Sequence, residues 1–236
     1  DEIAEAEAVI HRLRILDASN PELNWGDMAI LYRTNAQSRA IEDSLVRWSI
    51  PYIVVGGLRF YDRREIKDLL AYLRLLINPS DSVSLLRVLN VPKRGIGKTT
   101  VQRLSDAASQ LKIPLWEVVN DPEAVRSLAG RSAKGLLIFS ELINELQSHL
   151  ISSSPAELVQ LVLEKSGYLS ELIATGTDES EERRRNLQEL VNAALQYQEE
   201  SEDANLEGFL STAALSSDVD NKDTASNRVT LMTLHS

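Results

Sequence analysis

Cysteine is missing from all 236 residues, which removes disulfides, thiolate metal sites and cysteine nucleophiles and fits a reducing compartment. Histidine is scarce: His11, His149 and His235 stand too far apart to form a local metal motif. No run of about 18 apolar residues occurs, and the opening DEIAEAEAVI is acidic and amphipathic where a secretory leader would be basic and then apolar. A soluble, cytoplasmic chain with no membrane partner is expected. Positive charge is also in deficit, since 35 Asp and Glu against 25 Lys and Arg leave a formal net charge of −10. That excludes a generally basic protein that coats nucleic acid, because phosphate affinity comes from clustered Lys and Arg. Any DNA contact has to be local. What is present, 43% hydrophobic and 25% charged residues, is the ordinary balance of a globular protein with a sizeable core. The length accommodates one large domain or two modest ones.

Hydrophobic spacing divides the chain. Ile3, Ala6, Val9, Ile10, Leu13 and Leu16 recur near a 3.6-residue period and predict an amphipathic helix over 2–16, broken at Asn20-Pro21. Residues 27–32 read as a short buried strand, and 36–48 as a helix with Ile41, Leu45 and Trp48 on one face. Residues 51–55 read as a second strand, ended by Gly56-Gly57. This alternation predicts an α/β sheet with crossover helices. From there the spacing is helical, with helices expected at about 62–77, 81–89, 98–111, 114–119, 132–149, 155–165, 167–174, 180–200 and 205–215. Asn78-Pro79, Pro92, Pro114, Pro122 and Pro155 punctuate them. Residues 216–227, SSDVDNKDTASN, are acidic and small and predict a linker or mobile loop, after which 229–234 returns as a strand. The predicted fold is mostly α: a helical domain inserted into a partial α/β domain whose two pieces flank it. The ending TLMTLHS, with no cap or turn after a strand-like run, predicts a cut through a larger protein.

Residues 90–100 read NVPKRGIGKTT, and Gly97-Lys98-Thr99 copies the end of a phosphate-binding P-loop. The spacing refuses that motif, because the glycine required five residues before Gly97 is Pro92 and the lead-in looks helical instead of strand-like. A small nucleotide kinase is therefore not expected. Gly95-Ile96-Gly97 between two helices instead makes a tight turn in which backbone N–H groups and the next helix's N-terminus approach a phosphate, with Lys93, Arg94 and Lys98 adding charge. Duplex DNA is held by its backbone in this way without sequence being read. On spacing alone, an ordinary helix–helix turn with solubilising lysines accounts for the segment equally well.

Residues 31–39, LYRTNAQSR, lie at the carboxyl end of the first strand, the edge where open α/β sheets bind ligands. There Arg33 suits phosphate, Asn35 a base or sugar, and Thr34 a helix cap; a plain polar loop is the competing reading. Residues 59–76, RFYDRREIKDLLAYLRLL, place Ile66, Leu69, Leu70, Leu73 and Leu76 on a buried stripe. Arg63, Arg64 and Lys67 interleave with Asp62, Glu65 and Asp68 and predict a solvated face of paired charges, with Phe60 and Tyr61 as a packing anchor. No carboxylate pair, nucleophile with base, or metal-ligand cluster stands out, so no catalytic or metal residue is assigned.

Four blocks in order, LYRTNAQSR, IPYIVVGGLRFYDRREIKDLLAYLRLLINPSD, LLRVLNVPKRGIGKTT and VTLMTLHS, resemble the second motor domain and inserted domain of the UvrD/PcrA/Rep-type superfamily 1 DNA helicases. The similarity covers essentially the whole chain and is weakest from about 115 to 225. The resemblance implies a 3′-to-5′ DNA helicase of repair or replication in which two RecA-like motor domains clamp ATP while the helical domain 2B contacts duplex DNA. Residues 1–55 would be part of motor domain 2A, 56–227 domain 2B with Gly56-Gly57 and 216–227 as its hinges, and 228–236 the return into 2A. Arg33, Asn35 and His235 match positions that contact single-stranded DNA. Gly95, Ile96 and Gly97, with Lys93, Arg94, Lys98 and Thr99, match the duplex-binding element. Single-strand/duplex junction DNA is the implied partner. The Walker A loop, the acidic magnesium motif, the asparagine-tyrosine-arginine segment of motif IV and the arginine of motif VI do not occur in these residues. No cofactor is therefore expected on the chain itself; ATP and Mg²⁺ belong to the full-length protein, and the piece alone is expected to be inactive. The competing function is a helical protein-interaction module whose acidic surface docks repair or transcription proteins.

Overall fold

The computed structural model of the chain describes residues 2–217 and 227–234. In chain order the elements are α1 (Glu2–Ser19), β1 (Ala29–Tyr32), α2 (Ser38–Arg47), β2 (Tyr52–Val54), α3 (Arg64–Ile77), α4 (Ser82–Val88), α5 (Lys98–Leu111), α6 (Leu115–Val119), α7 (Pro122–Leu128), α8 (Ala133–Ser148), α9 (Pro155–Lys165), α10 (Tyr168–Thr175), α11 (Asp178–Glu200), α12 (Leu206–Ser217) and β3 (Val229–Thr233). The chain is mostly helical, with one small parallel sheet. It divides into two compact units, residues 1–66 with 211–236, and residues 67–210.

In the first unit β3 lies between β1 and β2, and all three strands are parallel. Ile30 faces Leu231 across one pairing, and Tyr52 faces Val229 across the other. Ile10 and Leu13 of α1 and Leu45 of α2 close over Ile30, Tyr32, Tyr52, Val229 and Leu231 to form the core. β1 was expected to be buried outright, yet only Ile30 and Tyr32 face this core. Leu31 and Ile53 keep 54% and 44% of their surface exposed. Alternation imposes this result: one sheet face packs against α1 and α2, and successive side chains point away from it.

Residues 56–66 stay with the sheet although the sheet strands end at Val54. The Phe60 N–H donates to both oxygens of Glu42 at 3.2 Å, and Arg63 Nη2 donates to Ser38 Oγ at 2.7 Å. Phe60 and Tyr61 are both buried and meet edge to face at 5.1 Å between ring centres, as a packing anchor should. The loop expected over 216–227 begins later than predicted, because Ser216 and Ser217 are the last residues of α12. Residues 218–226 lie outside the described residues, and Asn227 Oδ1 accepts the Gly26 N–H at 3.2 Å.

The second unit is built on α3. Ile66, Leu69, Leu70, Leu73 and Leu76 are buried as predicted, but so are Ala71, Tyr72 and Leu75, so the helix is covered nearly all round. The charges at its start therefore do not form a solvated face. Arg63 and Asp68 are buried, and Asp68 accepts from Arg87 Nε at 2.8 Å and from Tyr168 Oη at 3.1 Å. Burial without such partners would be costly for a carboxylate. One helix escaped the periodicity reading. Pro122 reads as a break, but Asp121-Pro122 is a helix start, with Asp121 Oδ1 accepting from the N–H groups of Glu123 and Ala124 and proline in the first turn.

Candidate functional site

The turn between α4 and α5 is held from behind, and this decides which of its groups face outward. Asn90 Oδ1 accepts from the Arg94 N–H at 2.7 Å and the Ile96 N–H at 3.2 Å, so one side-chain oxygen closes the loop on itself. Ile96 is buried. Gly95 has φ 71°, a left-handed conformation that favours glycine. Its carbonyl accepts from Ser132 Oγ at 2.8 Å, and Thr100 Oγ1 donates to the same serine oxygen at 3.2 Å. Gly135 of α8 packs so closely that a Cβ there would stand 2.2 Å from the Arg94 carbonyl oxygen.

Arg94 corrects one expectation. Its guanidinium turns inward instead of joining the exposed rim. Nη1 donates to the carbonyls of Val88 at 3.2 Å, Leu89 at 3.4 Å and Pro92 at 3.2 Å, and Nη2 donates to Tyr72 Oη at 2.7 Å and to the Ser166 carbonyl at 3.2 Å. The Phe139 ring lies 5.2 Å from the guanidinium carbon. Tyr72 in turn donates to the Val91 carbonyl. Burial pushes its phenol up to about 12, opposed by the Arg94 charge beside it.

What remains outside is a compact rim. Lys93, Gly95, Gly97, Lys98 and Thr99 are exposed. The N–H groups of Gly97, Lys98 and Thr99 sit at the start of α5, where no intrahelical acceptor exists, and no side chain of Gly97 caps them. Neither lysine has an ion-pair partner among the described residues. Gly97 has φ −87°, and a Cβ there would meet nothing within 4 Å; its shape is not needed by the fold. The segment does not fit a nucleotide cradle: helix α4, not a strand, leads in, and Pro92 occupies the first glycine position.

The second expected site lies in the other unit, where the chain leaves β1. Arg33 is exposed. The N–H groups of Arg33 and Thr34 both donate to Gln37 Oε1 at 3.1 Å, and Thr34 takes the cap position of the short turn Asn35–Gln37 that runs into α2. Asn35 is half-buried within that turn. Arg33 and Gln37 border a cleft shared with Tyr32, Ile41 and the acidic Glu2 and Glu5 of α1. The Leu234 N–H still donates to the Tyr32 carbonyl at 3.0 Å, so β3 leaves the sheet beside this loop. His235 itself lies outside the described residues.

Beneath the loop is a buried polar cluster that sequence reasoning missed. Glu42 accepts from Ser38 Oγ at 2.6 Å and Tyr52 Oη at 3.1 Å in addition to the Phe60 N–H. Burial raises the Glu42 carboxyl above its ordinary value, against those donors and the nearby Arg63; burial and the Glu42 charge raise Tyr52. Arg39 pairs with Asp43 at 2.9 Å. A carboxylate at the fifth position of a helix after a polar loop carries no mark that separates it from a surface charge. Asn90 was findable as a turn residue, whereas Ser132 and Gly135 reach the GIG turn from a distant part of the chain.

The model of the UvrD-like helicase C-terminal domain matches residues 1–236. The ATP-dependent DNA helicase PcrA of Staphylococcus aureus strain NCTC 8325 / PS 47 is 41% identical over 234 residues, covering 98% of this chain and 32% of the relative. The ATP-dependent DNA helicase PcrA of Staphylococcus epidermidis strain ATCC 12228 is 40% identical over the same extent. The chain thus spans about a third of the length of the curated relatives it matches.

Proposed function

The chain belongs to the UvrD-like helicase family, and on that footing we propose that it is the DNA-holding, regulatory region of an ATP-dependent DNA helicase that works on single-strand/duplex junctions. Residues 1–55 and 228–236 serve as part of motor domain 2A and residues 56–227 as domain 2B. The separation into a sheet-bearing unit and a helical unit supports that division, with residues 56–66 and 211–217 belonging structurally to the former. Arg33, Asn35 and His235 hold the single strand. Lys93, Gly95, Gly97, Lys98 and Thr99 hold the duplex, while Arg94 and Ile96 shape the turn from within. ATP and Mg²⁺ are bound by the rest of the full-length protein, and no step of hydrolysis is assigned to this chain.

One observation carries the reading: three backbone N–H groups and two lysines, none with a partner among the described residues, stand together on a turn locked from behind. Such groups are already oriented, so a phosphate oxygen gains charge-assisted hydrogen bonds without the turn having to reorganise. They contact backbone alone, which suits an enzyme that must act on any sequence.

Fluorescence anisotropy of junction DNA against salt tests the proposal. Affinity is expected to fall steeply as salt rises, by about 0.9 log units per log unit of salt for each phosphate contact. Gly97→Ala is expected to weaken junction binding with folding unchanged. Binding absent even at low salt would overturn the reading and favour a protein-docking module with an acidic helical surface.

A further inference from the structure

The net negative charge is unevenly placed. Residues 82–105 carry five cations and no carboxylate, and residues 124–140 carry three cations and no carboxylate. The fold packs these two acid-free stretches against each other. Ser132 Oγ donates to the Gly95 carbonyl at 2.8 Å, Thr100 Oγ1 reaches Ser132 at 3.2 Å, and Gly135 lies against the Arg94 carbonyl. The second stretch repeats the form of the first: α7, a tight turn containing Gly130 at φ 53°, then α8. On that turn and the start of α8, Arg131 and Lys134 are exposed and have no ion-pair partner among the described residues. Arg87, Lys165, Arg183 and Arg184 of the same unit are paired with carboxylates, whereas Arg103 and Arg126 of the same two stretches are also exposed without an ion-pair partner among the described residues.

We infer that the α7–α8 turn is a second phosphate-backbone contact on the same duplex, with Arg131 and Lys134 as its ligating side chains. The inference rests on the reading of the GIG turn as a duplex contact and extends it. Two adjacent turns, fixed to each other through Ser132, present four unpaired cations, Lys93, Lys98, Arg131 and Lys134. A single mononucleotide cannot satisfy four cations on two turns; a polyanion with regularly spaced phosphates can. The contacts are to phosphate, so they add affinity and orientation without sequence preference.

The test compares two double variants of the full-length protein, Lys93→Ala/Lys98→Ala and Arg131→Ala/Lys134→Ala, by anisotropy on a short blunt duplex and on a single-stranded oligonucleotide across salt. Thermal melts confirm that both variants fold, as expected for exposed, unpaired side chains. Arg131→Ala/Lys134→Ala is expected to weaken duplex binding about tenfold at low salt and to make the log–log salt slope shallower by about 1.8. Single-strand affinity stays the same, and Arg131→Lys/Lys134→Arg keeps most duplex affinity. If Lys93→Ala/Lys98→Ala lowers duplex affinity and slope while Arg131→Ala/Lys134→Ala changes neither, this inference fails and the GIG reading stands. If neither pair changes duplex binding, the GIG reading fails with it.

Discussion

Three neighbouring residues separate shape from recognition. Gly97→Ala adds a methyl to open space at an ordinary φ, so urea melts are expected to coincide with the parent while duplex binding weakens. Gly135→Ala places a methyl against the Arg94 carbonyl and forces α8 away; a loss of about 1–3 kcal/mol is expected from such overpacking. Arg94→Ala removes the donor from the Leu89, Pro92 and Ser166 carbonyls and the Tyr72 hydroxyl, and a loss of about 3 kcal/mol is expected in the same assay. Arg94→Lys does not restore it, because an ammonium cannot span acceptors arranged for a planar fork. At this scale the sequence singled out the turn but mixed two kinds of residue. Lys93, Arg94 and Lys98 look alike as a basic run. What separates Arg94 is an acceptor on Ser166, 72 positions later, which no local pattern announces.

Among the elements, the helix starts were legible wherever their chemistry was read fully. Ser154-Pro155 with Glu157 signals α9, and Asp121-Pro122 is the same kind of signal for α7, hidden because proline was taken as a break. Asp121→Ala is expected to cost about 1 kcal/mol, seen as a lowered urea midpoint. Charge pattern misled at α3, since alternating signs at helical spacing describe a wet face and a buried network equally well until the packing partners, here Arg87 and Tyr168, are known. The tether between α2 and the segment after β2 has a pH signature. With its carboxyl raised by burial, Glu42 takes up a proton in the folded state at a pH where the unfolded chain is still ionised. Its contribution to stability therefore grows as pH falls from above that raised value toward the ordinary carboxylate range. Glu42→Gln does not titrate and lacks that growth, so the stability gap between parent and variant is expected to change across this window in urea melts. A gap constant with pH would show that Glu42 is not the group responsible.

For the whole molecule, the change from mixed to purely helical spacing after Gly57 was enough to anticipate a sheet flanking a helical middle. The strand order was not readable: the short apolar runs at 27–32, 51–55 and 229–234 predict strands but not which lies inside. The structure puts the last strand in the middle, and this has a consequence for how the protein is made. β1 and β2 leave the ribosome well before β3 but have no partner in each other; both wait for that strand. At about 5–20 residues per second that wait is on the order of ten seconds or more, during which two apolar strands have open edges. Residues 67–210, which form a compact unit of their own, are complete before it ends. A nascent chain stopped after residue 217 is expected to show protected amides across residues 67–210 in hydrogen exchange and none in 29–54, with protection of both strands appearing once residue 234 has been added. Until then the protein depends on whatever shields a half-made sheet in the cell.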